Sequence, residues 1–244
     1  MSIDQETQAL EPALYLIPVE LSDETTDAVL PLGNTAVVTR LRHFIVENVR
    51  SARRFLKRCD RSIDIDALTF AELNGHTPPE AVARMLEPLE HDEPMGVISE
   101  AGCPAVADPG ADVVAIAQRK GLKVVPLVGP SSIIMSLMAS GMNGQSFAFL
   151  GYLPIDDAAR RRAIDQLAHR ARHEHQTQIF IETPYRNNRL LKQLVDTLPP
   201  QLRLCVASDI TGRRESIVTR TVEQWRRHGL GDYDRVPTIF LVNE

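Results

Sequence analysis

The first half of the chain alternates short apolar runs with segments of helical periodicity. Apolar runs occur at residues 14–17, 44–46, 95–99 and 123–127, and residues 78–89 are predicted as one helix between two of them. Short apolar runs bounded by turn residues predict buried strands, and strands that alternate with helices predict parallel pairing. The pattern therefore predicts a mostly parallel sheet that is covered by helices on both faces.

The second half has a different pattern, in which helices are followed by successive strands. Helical periodicity predicts helices at residues 131–140, 158–175 and 187–198. Apolar runs predict strands at residues 147–150, 178–181, 203–207, 215–220 and 238–242. The last three follow one another without a clear helical segment between them, which predicts antiparallel pairing and a mixed sheet.

These two patterns predict an α/β fold of two domains, with residues 1–128 forming the N-terminal α/β domain and residues 129–244 the C-terminal α+β domain. Two domains joined at a loop of small residues predict a ligand cleft between them.

Composition narrows the class of protein. The chain has 244 residues, of which 43% are hydrophobic, and a net charge of −5. This negative net charge argues against a strongly basic nucleic-acid binder. Basic residues nevertheless cluster at residues 50–58, 160–162 and 213–214. Each cluster is typical of a solvated helix face, and together they would form a local positive surface. Three widely spaced cysteines predict reduced thiols and a cytoplasmic location, and no apolar run reaches the about 18 residues that span a membrane.

Residues 95–132 are the most informative segment. An apolar run ends in a loop rich in glycine and proline at residues 100–110, and a helical segment and a second apolar run lead to another such loop at 128–132. A strand, a crossover helix and a parallel strand place both loops at the carboxyl end of the sheet. Open α/β sheets bind their ligands at that edge, so the segment predicts a ligand site without identifying the ligand.

The two loops carry the sequences SEAGCPAVADPG at residues 99–110 and VVPLVGPSS at residues 124–132. These sequences resemble the tetrapyrrole methylase superfamily of S-adenosylmethionine-dependent methyltransferases. Within it, the resemblance is to the bacterial branch that methylates the ribose 2′-hydroxyl of a cytidine in small-subunit ribosomal RNA. Further collinear matches are LYLIPVELSD, ENVRSARRFL, FLGYLP, IFIETPYR and RVPTIFLVNE, so the likeness covers nearly the whole chain.

The resemblance implies an S-adenosylmethionine-dependent methyltransferase, with RNA ribose 2′-O-methylation as the implied reaction and a homodimer as the implied assembly. It implies cofactor contacts from Pro18, Ser99, Glu100, Ala101, Gly102, Pro104, Gly129, Ser131, Ser132, Glu182, Pro237 and Thr238. Glu47, Arg50, Arg54 and Arg186 are expected to face the substrate. The helical spacing of Arg50 and Arg54 is equally consistent with a solvated face, and Arg186 with an ion pair to an acid.

Three residues of the two loops also have structural interpretations. Ser131 or Ser132 is expected to cap the helix that follows, which is compatible with a cofactor contact. Asp108 is expected to cap the helix after the first loop. His173 and His175 are too closely spaced to share a helix face, so no metal site is predicted.

The chain departs from the family pattern in its first loop. Residues 18–23 contain no glycine, whereas glycines let the family's backbone approach its ligand closely. The family's acidic residue after Glu47 is replaced by Asn48. Because these differences lie on the substrate side, the alternatives are methylation of a tetrapyrrole or another small molecule, or a cofactor-binding relative without catalysis. Glu20, Glu47 and Glu182 are candidate acids near the cleft, and the sequence does not select a general base among them.

Overall fold

The computed structural model describes residues 9–22, 26–75 and 77–244. Asp23, the last residue of the glycine-free loop, lies outside the described residues. The structure divides into two compact units after Pro130, beside the domain boundary predicted at residues 128 and 129. Unit 1 is the part up to Pro130, and unit 2 is Ser131–Glu244.

Unit 1 contains a five-stranded sheet in the order β3-β2-β4-β1-β5. Its strands are β1 (Leu14–Ile17), β2 (His43–Val46), β3 (Thr69–Glu72), β4 (Met95–Ile98) and β5 (Val124–Pro126). Every pairing between neighbours is parallel, which confirms the predicted parallel sheet. The edge strand β3 was not predicted, because its four residues are half-exposed and lack the apolar signal of a central strand.

Helices cover both faces of this sheet. They are α1 (Thr26–Val29), α2 (Leu32–Val38), α3 (Val49–Cys59), α4 (Pro79–Arg84), α5 (Glu87–Glu90) and α6 (Gly110–Arg119). Phe55 and Leu56 of α3 pack with Phe44 on one face. On the other face, Val113 of α6 packs with Val97. The alternating side chains of the strands therefore reach two apolar layers, as a buried parallel sheet requires.

The single helix predicted over residues 78–89 is wrong, because the structure has the two short helices α4 and α5 there. Pro88 lies in the first turn of α5 and has no N–H to donate to the carbonyl of Arg84. The apolar spacing of the segment persists across the break, with Val82 and Leu86 both buried. Periodicity alone therefore overestimated the length of the helix.

Unit 2 contains a mixed sheet in the order β6-β7-β10-β8-β9. Its strands are β6 (Phe147–Tyr152), β7 (Thr177–Ile181), β8 (Arg203–Ser208), β9 (Ser216–Thr221) and β10 (Thr238–Asn243). Strands β6 and β7 are parallel, and the other pairs are antiparallel. The mixed sheet predicted from the succession of strands is confirmed.

The helices of unit 2 are α7 (Ser132–Ser140), α8 (Asp157–His173), α9 (Asn187–Thr197) and α10 (Val222–His228). Ile164 of α8, Leu191 of α9 and Trp225 of α10 pack in one core with Phe180 and Phe240 of the sheet. The indole N–H of Trp225 donates to a strand carbonyl of β8 at 2.8 Å. Across the described ranges, we find no helix with the length and apolar character needed to cross a membrane.

Candidate functional site

The glycine-free loop after β1 is joined to the loop after β4. Val19 and Gly102 exchange two backbone hydrogen bonds of 2.9 Å each. Gly102 has φ +72°, a conformation that residues with a Cβ rarely adopt, and a Cβ there would lie 3.3 Å from the Leu21 side chain. The two loops at the carboxyl edge of the unit 1 sheet therefore form one connected structure.

The loop after β5 packs against the loop after β1 at Gly129. A Cβ on Gly129 would lie 2.3 Å from two ring carbons of Pro18, so only glycine fits against this proline. The Asn34 side chain donates to the carbonyl of Val128 at 2.9 Å. The Cys103 Sγ lies 3.4 Å from the carbonyl oxygen of Pro130. The structure thus brings together the predicted residues Pro18, Gly102 and Gly129, although Gly129 contacts Pro18 rather than open space.

Asp108 organises the remainder of the loop after β4. Its Oδ1 accepts hydrogen bonds of 2.8 Å from the backbone N–H groups of Ala105 and Gly110. Gly110 begins α6, so Asp108 satisfies a free donor at the helix start as expected, although Pro109 occupies the N-cap position. Ala105 and Ala107 adopt positive φ values of 65° and 60°. Such left-handed alanines are uncommon and persist where the surrounding contacts fix the loop.

The predicted residues of this loop differ in their exposure. Ser99, Gly102 and Pro104 are buried, whereas Glu100 and Ala101 are exposed. The Ser99 hydroxyl donates to the carbonyl of Gly102 at 3.2 Å, so it stabilises the turn from inside. Glu100 and Ala101 are therefore the members of this set whose side chains a ligand can reach directly.

A polar cavity of about 260 Å³ lies between the loops after β1 and β4 and helix α3. The Ser51 hydroxyl donates to Glu100 Oε1 at 2.6 Å across this cavity. The buried carboxylate of Glu20 pairs with Arg58, and Arg54 also lines the wall. The predicted substrate residue Arg54 and the predicted cofactor residue Glu100 thus share one cavity.

Asn48 is a structural residue that the family comparison of the sequence left without a role. Its Oδ1 accepts hydrogen bonds from the backbone N–H groups of Arg50 at 2.9 Å and Ser51 at 3.2 Å, which makes it the N-cap of α3. Asparagine immediately before a helix is a signal for this role, so the sequence contained the information. The cap fixes the turn that carries Arg50 and Ser51.

Glu47 lies between β2 and α3 and is half-buried. Burial and the neighbouring carboxylates of Asp108 and Glu100 raise the pKa of Glu47, and a hydrogen bond from the Glu100 backbone opposes this shift in part. Glu47 therefore binds a proton more tightly than an exposed glutamate does. The structure brings three acidic side chains together at the carboxyl edge of β2 and β4.

In unit 2, Glu182 follows β7 and accepts several hydrogen bonds through one carboxylate oxygen. Its Oε1 accepts from the Thr183 backbone at 2.7 Å and from Arg186 Nε and Nη2 at 3.1 and 2.8 Å. Burial favours the protonated form, but the hydrogen bonds from Arg186 and Thr183 outweigh it and lower the pKa of Glu182. Of the two interpretations of Arg186, the ion pair is observed.

The segment before β10 is held by Asn187, a residue that the sequence analysis missed. The Asn187 side chain is buried and donates to the carbonyls of Tyr233 at 3.0 Å and Val236 at 2.8 Å. Thr238 Oγ1 also donates to Val236, at 2.9 Å. Asn187 thereby positions the backbone beside the predicted residues Pro237 and Thr238. A lone asparagine at the start of a helix gives no sequence signal for contacts this distant in the chain.

The remaining predicted residues of unit 2 open helix α7. Ser131 Oγ accepts a hydrogen bond from the Ile134 backbone at 3.4 Å, which confirms the predicted N-cap. Ser132 is the first residue of the helix. Both hydroxyls are half-buried, so the capping role leaves part of each side chain accessible.

Two solved structures with a similar fold are methyltransferases. The methyltransferase CobJ aligns with a TM-score of 0.63 at 16% identity, covering 95% of this chain and 94% of that one. Uroporphyrin-III C-methyl transferase from Thermus thermophilus, complexed with S-adenyl homocysteine, aligns with a TM-score of 0.55 at 18% identity, covering 95% and 97% of the two chains. At these identities the likeness shows the fold alone, which is that of the tetrapyrrole methylases.

Sequence relatives define the family more closely. No protein-family model matches the chain. Proteins named ribosomal RNA small subunit methyltransferase I are 31% identical over 84% of this chain and 67% of the protein in Vibrio cholerae, and 33% identical over 87% of this chain and 77% of the protein in Xylella fastidiosa. The chain belongs to the family of ribosomal RNA small subunit methyltransferase I. The family resemblance predicted from the two loops is confirmed, and the chain is a methyltransferase.

Proposed function

We propose that this chain transfers a methyl group from S-adenosylmethionine to a ribose 2′-hydroxyl of small-subunit ribosomal RNA. The observation that carries the proposal is family membership, because relatives aligned over most of the chain are named as small-subunit ribosomal RNA methyltransferases. The ribose hydroxyl as acceptor follows from the sequence resemblance to the ribose-methylating branch. The tetrapyrrole methyltransferases share only the fold at 14–18% identity, so they do not favour a tetrapyrrole acceptor.

The residues present fit a nucleoside cofactor. Glu100 offers an exposed carboxylate and Ala101 an exposed backbone beside a turn whose left-handed backbone at residue 102 favours glycine, and such acceptors suit hydroxyl and ammonium groups. In unit 1, we assign cofactor contacts to the residues that the resemblance implies there. Within unit 2, the Glu182 and Asn187 side chains fix the backbone near the residues that the resemblance implies in that unit. A relative in fold that was solved with S-adenyl homocysteine supports the assignment. Bound S-adenosylmethionine supplies a methyl group that the positive sulfur has already activated.

The chain's own residues then have two tasks, which are to orient the acceptor and to take its proton. Arg50 and Arg54 are placed to orient the substrate, and orientation of reactants can supply about 7–11 kcal/mol of a barrier. We assign Glu47 as the general base that accepts the proton of the acceptor hydroxyl. Its raised pKa makes it a stronger base than an exposed glutamate. Glu182 is unsuited to this role because its hydrogen bonds stabilise the charged form.

Isotope transfer tests the proposal. Purified protein is incubated with methyl-labelled S-adenosylmethionine and small ribosomal subunits from a strain that lacks the gene, and the RNA is digested to nucleosides. We expect the label in a 2′-O-methylated nucleoside, and little label in subunits from the parent strain, whose site is already methylated. Label on a base would contradict the ribose assignment. Absence of label from RNA, together with methylation of uroporphyrinogen, would favour the small-molecule alternative.

A ribosomal RNA substrate implies a cytoplasmic location, and the family resemblance implies a homodimer. Light scattering of the purified protein tests the second inference. A mass equal to that of one chain at working concentrations would contradict it.

A further inference from the structure

Helix α3 and the residues that follow it are strongly basic within an acidic protein. Residues 49–61 contain six basic residues and one acidic residue, whereas the whole chain has a net charge of −5. Ala52, Phe55 and Leu56 form the buried side of the helix. The basic side chains therefore occupy its outer side, where they can meet a partner.

The basic side chains nearest the polar cavity differ in their engagement. Arg58 is paired with Glu20 in the cavity wall. Arg50 and Arg54 are exposed, and neither forms an ion pair or hydrogen bond through its guanidinium with any residue in the described ranges. Two guanidinium groups beside the cavity thus keep their donors for another molecule.

The positive surface continues away from the cavity to the edge of the sheet. The guanidinium carbon of Arg53 lies 5.4 Å from the ring centroid of Phe70 on the edge strand β3. Lys57 donates to the backbone carbonyl of Arg61 at 2.9 Å, which leaves other ammonium protons free. The charges therefore form a band rather than a single point beside the cavity.

Helix α8 of unit 2 provides an internal contrast. It also carries adjacent exposed arginines, Arg161 and Arg162, but acidic Asp156, Asp157 and Asp165 lie on the same stretch. Arg160 and Arg189 both pair with Asp157. Residues 156–174 contain five arginines and four acidic residues, so their charges nearly balance, whereas residues 49–61 contain six basic residues and one acidic residue.

We propose that Arg50, Arg53, Arg54, Lys57 and Arg61, here called the α3 basic band, bind the phosphodiester backbone of the ribosomal RNA that flanks the acceptor nucleotide. This inference rests on the proposed function and specifies how its substrate docks. Phosphate contacts fix the register of a nucleic acid and supply much of its affinity, and arginine is suited to phosphate through its paired donors. The band gives an acidic protein a local surface on which a polyanion can be held.

The test uses residues of the band that are distant from the cavity. Arg53→Gln with Lys57→Gln removes two charges, and Arg161→Gln with Arg162→Gln removes the same charge from unit 2. Arg53→Lys with Lys57→Arg keeps the charge and controls for packing on Phe70. Affinity for small ribosomal subunits from the deletion strain, and for the naked RNA extracted from them, is measured over a range of KCl concentrations. Calorimetry with S-adenosylhomocysteine reports cofactor binding in each variant.

We expect the first variant to bind both RNA forms about tenfold more weakly at physiological salt, with a salt dependence that is shallower by about 1.5 in logarithmic slope. Its cofactor affinity, the charge-preserving variant and the unit 2 variant should match the parent protein. Unchanged affinity and slope in the first variant, with RNA binding by the parent intact, would overturn the inference and leave the proposed function standing. Weaker binding to subunits but not to naked RNA would also overturn it, because a ribosomal protein would then be the partner. Failure of the parent protein to methylate RNA at all would instead contradict the proposed function.

Discussion

The two acidic residues that follow strands β2 and β7 occupy opposite electrostatic environments. Glu47 in unit 1 is half-buried near two other carboxylates, which raises its pKa. Glu182 in unit 2 is buried but accepts hydrogen bonds from Arg186 and Thr183, which lower its pKa. A glutamate in the first environment binds a proton more tightly than an exposed glutamate does, whereas the hydrogen bonds in the second environment favour the charged form.

The contrast extends to the surrounding loops. In unit 1, the loops after three strands are interlocked by backbone pairing and by the contact between Pro18 and Gly129. In unit 2, side chains fix the backbone, because Glu182 accepts a hydrogen bond from the Thr183 N–H and Asn187 donates to the carbonyl of Val236. We infer that unit 1 contributes the proton chemistry and that the Glu182 network of unit 2 is a rigid support.

The largest expected effect concerns Glu47→Gln. Loss of a general base typically reduces kcat by about 10²–10⁴-fold, so we expect a reduction in that range with S-adenosylhomocysteine binding retained. In the parent protein, kcat should rise with pH through the raised pKa of Glu47, because the base must be deprotonated. Single-turnover methyl transfer over a range of pH measures both. A variant that keeps the parent kcat and pH profile would remove Glu47 from the mechanism.

Glu182→Ala should cause the largest loss of stability. It leaves Arg186 and the Thr183 N–H without their acceptor, and we expect a decrease of about 2–4 kcal/mol in the free energy of unfolding. Because the folded pKa of Glu182 is lowered, its contribution is present above the unfolded pKa and disappears as the pH falls through the folded value. Urea unfolding at several pH values measures this. Glu223→Ala breaks the exposed pair with Arg227 and serves as the control, with an expected loss below about 1 kcal/mol. Equal losses in the two variants would contradict a supporting role for Glu182.

Gly129→Ala should have an intermediate effect on stability. The new methyl group would overlap the ring of Pro18, which cannot rotate away, so we expect destabilisation of about 1–3 kcal/mol. Gly33→Ala is the matched control, because a Cβ at that position in α2 meets open space and alanine favours the helix. Thermal unfolding of both variants measures the difference. Similar midpoints in the two variants would show that the contact with Pro18 is not tight in solution.

The smallest effect is expected at Asn48. Replacement of an N-cap by alanine costs about 1 kcal/mol, so Asn48→Ala should lower the free energy of unfolding by about that amount. Asn48→Asp restores the acid of the family pattern and keeps the cap, so its stability should equal that of the parent. Chemical denaturation measures both variants. A loss in Asn48→Asp as large as in Asn48→Ala would contradict the capping role.

The features that the sequence predicted correctly depend on residues close together in the chain. Strand and helix signals, the Ser131 cap and the turn organised by Asp108 all follow from neighbours within a few positions. The helix predicted over residues 78–89 was wrong because Pro88 interrupts it, and strand β3 was missed because its half-exposed residues lack an apolar run.

The arrangement of the candidate site depended on distant partners. The pairing of Val19 with Gly102, of Glu20 with Arg58 and of Asn187 with Val236 joins residues 38 to 83 positions apart. Nothing in the local pattern specifies such contacts, so the roles of Glu20 and Asn187 became visible only in the folded chain. The family resemblance supplied the candidate residues, and the structure supplied their hydrogen bonds and their electrostatic differences.

The loop after β1 lacks the family's glycines, and the central question is whether the three interlocked loops still form a working cofactor site. Calorimetric titration of S-adenosylhomocysteine into the parent protein and into Gly129→Ala tests this most directly. We predict saturable binding to the parent protein and clearly weaker binding to the variant. Absence of binding heat and of any thermal shift with the parent protein would contradict the account.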